Sequence, residues 1–252
     1  MSTPTDSPVT PVAQTGPPAS PGSPGSAAST DLVETDRTRP TRYGHRYATE
    51  RAALHDVLDS ALVAHVALVR GGSAVVLPLA AARDGESLLL HGSTGGGLFR
   101  EAATGVPMTA TVTVLDGLVY ARTVFDSSMN YRSAVVYGTA VEVPAAEKEE
   151  ALRVLSEHLM PGRWDEVRRP TRREVAATLV LRLPLDEASV KVRSAGPGDD
   201  QPEDGAVWAG VLPLHTAVGA PRTADDVPAG VPVPPSVAAT ATRLAGQLPP
   251  YR

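Results

Sequence analysis

The stretch that most constrains the fold runs over residues 73–102, where the sequence predicts a β-hairpin, a glycine-rich loop and a short helix. Ser73–Ala82 is rich in apolar and β-branched residues, and Ser87–His91 resumes as a second strand after Asp84-Gly85, a dipeptide typical of hairpin turns. The second strand runs into the sequence HGSTGGG. Because glycines let backbone amides approach a ligand and a helix N-terminus favours negative charge, this loop is a candidate phosphate site.

The loop matches neither the glycine pattern of nucleoside triphosphatases nor that of Rossmann dinucleotide-binding domains. An ordinary connection between a strand and a helix is therefore an equally good interpretation of this segment taken alone.

Several further segments predict strands of an antiparallel sheet. Val63–Val69 precedes the hairpin, and we expect His65 within it to be a core histidine. Asp116-Gly117 is predicted to form a second hairpin turn, and Gly138 a bulge or bend. Together these segments predict an α+β fold that is mainly β, organised as an antiparallel barrel. The other predicted strands are Pro107–Leu115, Leu118–Thr123, Ser133–Val143, Thr178–Leu183 and Ala188–Arg193, and the predicted helices are Glu50–Asp59, Leu98–Ala103, Ala145–Leu159 and Thr171–Ala177.

The two ends of the chain differ in composition from the middle. Residues 1–40 are rich in Pro, Ser, Thr and Gly, and we expect a disordered tail there, followed by a folded domain over residues 41–215 and a Pro/Ala-rich extension over residues 216–252. No segment predicts a membrane span or a secretory signal, so we expect a cytoplasmic protein without a membrane partner. The net charge of −5 argues against nucleic-acid binding, and the absence of cysteine excludes disulfides and a catalytic thiol.

The order of the motifs VVLPLA, LLLHGSTGG, YRSAVVYGTAVEV, SVKVR and WAGVLPL resembles the flavin-nucleotide-binding branch of the pyridoxamine 5′-phosphate oxidase-like superfamily, which includes relatives of nitroimidazole reductases. The resemblance covers about residues 40–215. It implies a six-stranded split β-barrel that binds FMN at the interface of a homodimer, with each site drawing residues from both subunits.

The resemblance also implies which residues form the site. The backbone of the Leu77-Pro78-Leu79 segment would lie beside the flavin ring, and His91 would donate a proton or orient the substrate. Arginine and serine in the YRS motif are suited to holding a phosphate. The implied cofactor-binding residues are Leu77, Pro78, Leu79, His91, Gly92, Ser93, Tyr131, Arg132, Ser133, Lys191, Arg193 and Trp208.

Structural roles are alternatives for several of these residues. In these alternatives His91 bonds a backbone carbonyl, and Arg132 pairs with Asp126 or Glu142. Lys191 occupies an outward position on its strand, and Trp208 anchors the C-terminal extension.

Three functions follow from the resemblance. The first is an FMN-dependent oxidoreductase acting on a small molecule; its substrate stays open, because the arginine-rich C-terminal signature of true pyridoxamine phosphate oxidases is missing. The second is a carrier or sensor without turnover, since relatives of the barrel also bind haem or a deazaflavin. The third is a structural dimer without a cofactor. The candidate axial ligands for haem are His45, His55, His65, His91, His158 and His215.

Overall fold

A computed structural model describes residues 30–198 and 207–246 of the chain. Most of the predicted N-terminal tail and much of the acidic loop after the last barrel strand therefore lie outside the described residues. No helix within the described ranges is long and apolar enough to cross a membrane.

The described residues form ten strands, six α-helices and a short 3₁₀ turn at Gly44–Arg46. The strands are β1 (Tyr47–Ala48), β2 (Val63–Arg70), β3 (Ser73–Asp84), β4 (Ser87–Ser93), β5 (Pro107–Tyr120), β6 (Ser128–Thr139), β7 (Val141–Glu142), β8 (Thr178–Pro184), β9 (Glu187–Arg193) and β10 (Gly210–Pro213). The helices are α1 (Arg51–Ser60), α2 (Gly97–Ala102), α3 (Lys148–Leu159), α4 (Arg163–Glu166), α5 (Arg172–Ala177) and α6 (Pro235–Ala245).

The strands form one antiparallel sheet in the order β1-β9-β6-β5-β2-β3-β4-β8-β7, and β10 adds to β5. Strand β3 joins the two halves of this sheet. Residues 73–80 of β3 pair with β2, whereas residues 81–84 pair with β4. This arrangement confirms the predicted split antiparallel barrel, with more strands than the six expected.

Helices α1 and α2 fill the interior of the barrel. Leu54 of α1 and Phe99 of α2 are buried in one cluster with the inward-facing side chains Val66, Val136 and Val190. Burying a side chain of this size stabilises the fold by about 1.5–3 kcal/mol. Packing in this interior cluster therefore holds in place the strands that can carry a site.

Helix α3 packs on the outside of the sheet. Ala151 and Leu155 of α3 form a second buried cluster with Ala82, Leu89 and Val180, which lie on β3, β4 and β8. One half of the outer surface of the sheet is thus covered by this helix.

The other half of the outer surface has exposed apolar side chains. The exposed fractions are 67% for Val69, 54% for Val76, 47% for Val63 and 42% for Leu115. We use the name outer face for the following outward-facing residues of β2, β3, β5, β6 and β9, identified by strand pairing: Val63, His65, Val69, Val76, Pro78, Thr111, Thr113, Leu115, Tyr131, Ser133, Val135 and Lys191. Apolar patches of this kind mark interaction surfaces in soluble proteins.

Two sequence predictions about turns are wrong. Asp116-Gly117 forms no hairpin turn, because β5 continues through it to Tyr120 with a bulge between Leu115 and Gly117. Gly138 is not a bulge either, since it pairs regularly with Met108. A Cβ atom at Gly138 would lie 3.2 Å from Leu183 Cδ1, so this glycine permits close packing.

The N-terminal boundary of the folded part lies earlier than the predicted residue 40. Leu32 packs against the core, and the Thr35 hydroxyl donates to Glu187 Oε1 at 2.6 Å. Arg37 Nε donates to the same carboxylate oxygen at 2.9 Å. The predicted disorder of residues 1–29 falls outside the described residues.

The predicted C-terminal extension is structured where it is described. It ends in α6, where the Ser236 amide donates to Glu166 Oε1 at 2.8 Å. Arg243 also donates from Nη2 to the Leu159 carbonyl at 3.4 Å. The extension therefore packs along α3 and α4.

Candidate functional site

The split between β3 and β4 creates two strand edges without a neighbouring strand. The pairing of β3 with β4 ends at Ala81 and Leu90, so the segment Leu77-Pro78-Leu79 has a sheet partner on its β2 side only. Pro78 lacks an amide donor, as expected at a strand edge. Leu77 is 40% exposed at this edge. The segment predicted to lie beside a flavin ring is thus accessible.

His91 lies in β4 directly after the last β3–β4 pair. Its Nδ1 atom is buried and has no hydrogen-bond partner among the described residues. Burial lowers the pKa of His91 below its ordinary value of 6.5, so the ring is neutral at neutral pH. A neutral imidazole has one donor and one acceptor nitrogen and is suited to orient a ligand rather than to release a proton.

Strand alternation brings several of the predicted site residues to the same outer side of the sheet. Pro78 and His91 flank the split, and Tyr131, Ser133 and Lys191 lie on β6 and β9. The Ser133 hydroxyl donates to the Lys191 carbonyl at 3.4 Å. Strands β2 and β5 separate the two groups, which places them ~14 Å apart across the sheet at the usual strand spacing.

The glycine-rich loop is held mainly by contacts within the chain. A Cβ atom at Gly92 would lie 2.5 Å from the Phe99 ring, so packing alone requires glycine there. Ser93 Oγ accepts a hydrogen bond from the Gly95 amide at 3.2 Å. The Thr94 hydroxyl donates at 3.2 Å to the carbonyl of the last residue of α5. The Thr94 hydroxyl is thus already used as a donor, whereas the Ser93 hydroxyl accepts and keeps its own proton for a ligand.

Arg70 is a cation beside this loop that the sequence interpretation did not include. Its guanidinium lies close enough to Gly97 that an added Cβ would be 3.1 Å from Nη2. Arg70 Nε also forms a 3.0 Å ion pair with Glu101 on α2. The loop thus has one arginine whose charge is partly compensated.

Arg132 forms an ion pair with a different carboxylate from those proposed. Its Nη2 and Nε atoms donate to the two oxygens of Asp116 at 2.9 and 3.0 Å. Asp116 is almost fully buried. Of the expected partners, Asp126 accepts from the Thr123 hydroxyl and Glu142 pairs with Lys148. The bulge at Asp116 brings this carboxylate to the arginine.

Arg193 and Trp208 lie apart from the split. Arg193 is buried, where Nη1 donates to Asn130 Oδ1 and, at 3.1 Å, to the Ala195 carbonyl. Trp208 is 66% exposed, and its ring centre lies 5.9 Å from that of Tyr120. In this single chain Arg193 therefore holds the segment after β9, and Trp208 presents most of its ring to solvent.

A cleft of about 570 Å³ opens where the C-terminal extension passes the outer face. Its lining includes His65 and Thr113 from the sheet and Leu214 and His215 from the extension. The prediction of a core histidine at residue 65 is wrong, because His65 is exposed and pairs with Pro78 across the strands. Residues in both alternating phases of β2 are apolar, so the sequence did not show which phase is buried.

A sequence model of the family described as pyridoxamine 5′-phosphate oxidase matches residues 50–192. None of the curated proteins matches the chain significantly.

Among solved structures, the chain is similar to the FAD and haem binding protein from Mycobacterium smegmatis, with 45% sequence identity, a TM-score of 0.75, and coverage of 77% of this chain and 97% of that one. It is also similar to the flavocytochrome Anf3 from Azotobacter vinelandii, with 33% identity, a TM-score of 0.77, and coverage of 81% and 96%. A putative 5-nitroimidazole antibiotic resistance protein from Bacteroides thetaiotaomicron shares the fold at 20% identity and a TM-score of 0.51, covering 58% of this chain and 86% of that one. The matched segment holds the split, His91 and the paired motifs of β6 and β9, and the chain therefore belongs to the pyridoxamine 5′-phosphate oxidase-like family.

Proposed function

We propose that this protein is a flavin-dependent oxidoreductase acting on a small molecule, with FMN as the flavin unit that the barrel holds. The observation that carries the proposal is the buried, unpartnered Nδ1 of His91 beside the open edge of the split. Buried polar atoms in native proteins have hydrogen-bond partners, and a ligand would supply the missing one here. The Mycobacterium smegmatis relative, which is described as binding FAD, supports a flavin as that ligand.

The residues of the chain fit a flavin. The exposed edge at Leu77-Pro78-Leu79 offers backbone groups and apolar surface to a planar ring. The Lys191 ammonium is a donor suited to a phosphate, and the Ser133 hydroxyl, whose bond to the Lys191 carbonyl is long at 3.4 Å, can turn to donate as well. A bound flavin would supply hydride or electron transfer. The neutral His91 would hold a substrate or the ring by a hydrogen bond.

An absorbance spectrum of the purified protein, recorded after incubation with FMN or FAD and desalting, tests the proposal. We expect flavin bands to survive desalting. They should fade when a reduced nicotinamide donor is added in the absence of an oxidising substrate. His91→Gln should weaken flavin binding at least tenfold. His55→Gln, which changes a histidine on α1 that pairs with Glu86 at 3.0 Å, is the matched control and should bind normally. A colourless protein without a thermal shift in excess flavin would contradict the proposal.

We further propose that the site is completed in a homodimer. The outer face exposes apolar side chains, and its two groups of predicted site residues lie ~14 Å apart within one chain, at three strand spacings. A second copy that covers this face would bring its β6 and β9 motifs to the split of the first. Light scattering should give twice the chain mass. Thr113→Glu, at an exposed position of the outer face, should give a monomer, whereas Arg173→Glu on α5 should not.

Haem binding, in a carrier or sensor, is a second candidate function. The cleft beside the outer face has a volume of about 570 Å³ and is lined by His65 and His215. Histidine is a common axial ligand of haem iron. Both the Mycobacterium smegmatis protein and the Azotobacter flavocytochrome are described as haem or cytochrome proteins.

Haem titration with the histidine variants tests this second function. A Soret band that shifts or disappears in His65→Ala or His215→Ala, and persists in His55→Ala, would support it. A Soret band that is absent after titration of the wild-type protein would remove it while leaving the flavin proposal intact.

A further inference from the structure

The segment Arg42–Tyr47, which we name the basic turn, lies beside β9. The guanidinium carbons of Arg42 and Arg46 lie 4.6 and 4.3 Å from the centre of the Tyr43 ring. Tyr47 pairs with Lys191 across β1 and β9, and the Lys191 ammonium lies 5.4 Å from the centre of the Tyr47 ring. Two arginines thus lie against one tyrosine ring, and Lys191 lies over the ring of the tyrosine four residues further along.

None of these three cations lies within ion-pairing distance of a carboxylate in the described ranges of the chain. Other arginines, such as Arg51 and Arg83, do form ion pairs. The Nε atom of Arg46 is also buried and has no hydrogen-bond partner among the described residues. A buried N–H without an acceptor is unfavourable, and neighbouring like charges repel, so a bound anion would relieve both effects.

The backbone of the basic turn is strained at Tyr43. This residue has φ 55° and ψ 49°, and it is the one residue other than glycine with positive φ among those that the structure describes. The left-handed conformation is unfavourable for a tyrosine, and such strain is concentrated at functional sites. Core burial does not explain it, because Tyr43 is 42% exposed. The strained conformation places the ring where both guanidinium groups contact it.

The basic turn continues the outer face on which we place the flavin. Lys191 pairs with Ser133 of β6, and Tyr47 lies on the strand beyond. A mononucleotide carries a single phosphate, for which Ser133 and Lys191 already offer donors. Two guanidinium groups beyond them suit further phosphate oxygens, since guanidinium binds phosphate through paired N–H donors.

We propose that the basic turn, together with Lys191, binds the diphosphate of an adenine dinucleotide. The inference rests on the proposed function, because this dinucleotide is either the flavin itself or the electron donor that binds at the same outer face. FAD and reduced nicotinamide dinucleotides share this chemistry. The binding site itself consists of Arg42, Arg46 and Lys191.

Calorimetric titration of the full-length protein with ADP tests the site without any flavin. Arg46→Gln and Lys191→Gln should each weaken ADP binding at least tenfold, and raising the salt concentration should weaken binding to the wild type. Arg46→Lys, which keeps the charge but loses the paired donors, should fall in between. Arg173→Gln, an exposed arginine on α5, is the matched control and should stay within twofold. Thermal melting of each variant checks that it folds.

Two further titrations distinguish the sources of the diphosphate. If FAD is the ligand, Arg46→Gln weakens FAD binding and leaves FMN binding unchanged. If a nicotinamide dinucleotide is the ligand, the variant weakens NADPH binding and leaves both flavins unchanged. A wild-type protein that does not bind ADP, or folded variants that bind it normally, would overturn the inference. A protein that binds ADP through Arg46 but retains no flavin would instead overturn only the proposed oxidoreductase.

Discussion

Replacing Gly92 by alanine should destabilise the protein through the core rather than through a ligand contact. The added Cβ would lie 2.5, 2.6 and 2.9 Å from three carbons of the Phe99 ring, and the nearest of these would have to retreat to about 3.4 Å. Phe99 is 5% exposed and packed in the interior cluster, so it has no free space in which to move. Overpacking of this kind costs about 1–3 kcal/mol. For a domain of this size each kcal/mol lowers the Tm by about 2–4 °C, so we expect a fall of about 2–12 °C.

A second glycine provides the control, because its clash is similar but its neighbour is mobile. A Cβ atom at Gly210 would lie 2.7 Å from the Trp208 ring, which is 66% exposed and can turn toward solvent. Gly210→Ala should therefore change the Tm by less than about 2 °C. Calorimetry or a circular-dichroism melt of both variants measures the difference.

Shortening the phenylalanine should rescue the first variant. Phe99→Leu alone leaves a cavity, but combined with Gly92→Ala it gives the new methyl group room. We expect the double variant to be more stable than the sum of the single effects by about 1 kcal/mol or more. An additive double variant, or a Gly92→Ala protein that melts like Gly210→Ala, would show that the packing argument is incorrect.

Three further predictions concern charge and capping. Burial holds the pKa of His91 below 6.5 in the folded state, so the stability that the neutral His91 ring contributes is present above that pH and is lost as the pH falls. His91→Gln should therefore flatten the pH dependence of urea unfolding below pH 6.5. Arg132→Gln leaves the buried Asp116 carboxylate without its bidentate partner and should cost about 3 kcal/mol, of which a second change, Asp116→Asn, should restore a part in denaturant titrations. Thr171→Ala removes a capping box at the start of α5 and should cost about 1 kcal/mol by the same assay.

The sequence predicted the barrel and the residue types at the split, because these depend on local patterns. Ser73–Ala82 and Ser87–His91 show the periodicity and the turn dipeptide of a hairpin, and the structure has strands at both places. The Asp116-Gly117 dipeptide carries a similar turn signal, yet a bulge forms there. The Asp116 carboxylate accepts from a guanidinium sixteen residues away, a contact that no local pattern encodes.

The orientation of β2 was unpredictable for a related reason. Its sequence VAHVALVR has apolar residues in both alternating phases, which is the pattern of a strand with both faces in contact with other groups. In the single chain one phase, Ala64, Val66 and Leu68, is buried, whereas Val63 and Val69 of the other phase are exposed. The apolar second phase of β2 therefore supports our proposal that a second chain covers the outer face.

Cofactor binding and association of two chains should be linked at this face. In a single chain, a ring at the split would have the β3 edge on one side and, on the outer face, solvent beside Val76, which is 54% exposed. Water around the ring would weaken its hydrogen bond to His91 and would leave apolar surface uncovered. A second chain that covers the same surface removes that water, so each binding event stabilises the product of the other. Flavin that binds tightly to the dimer should consequently bind weakly to a monomer produced by Val69→Glu, because Val69 is 67% exposed on the outer face but lies away from the split, His91 and Ser133.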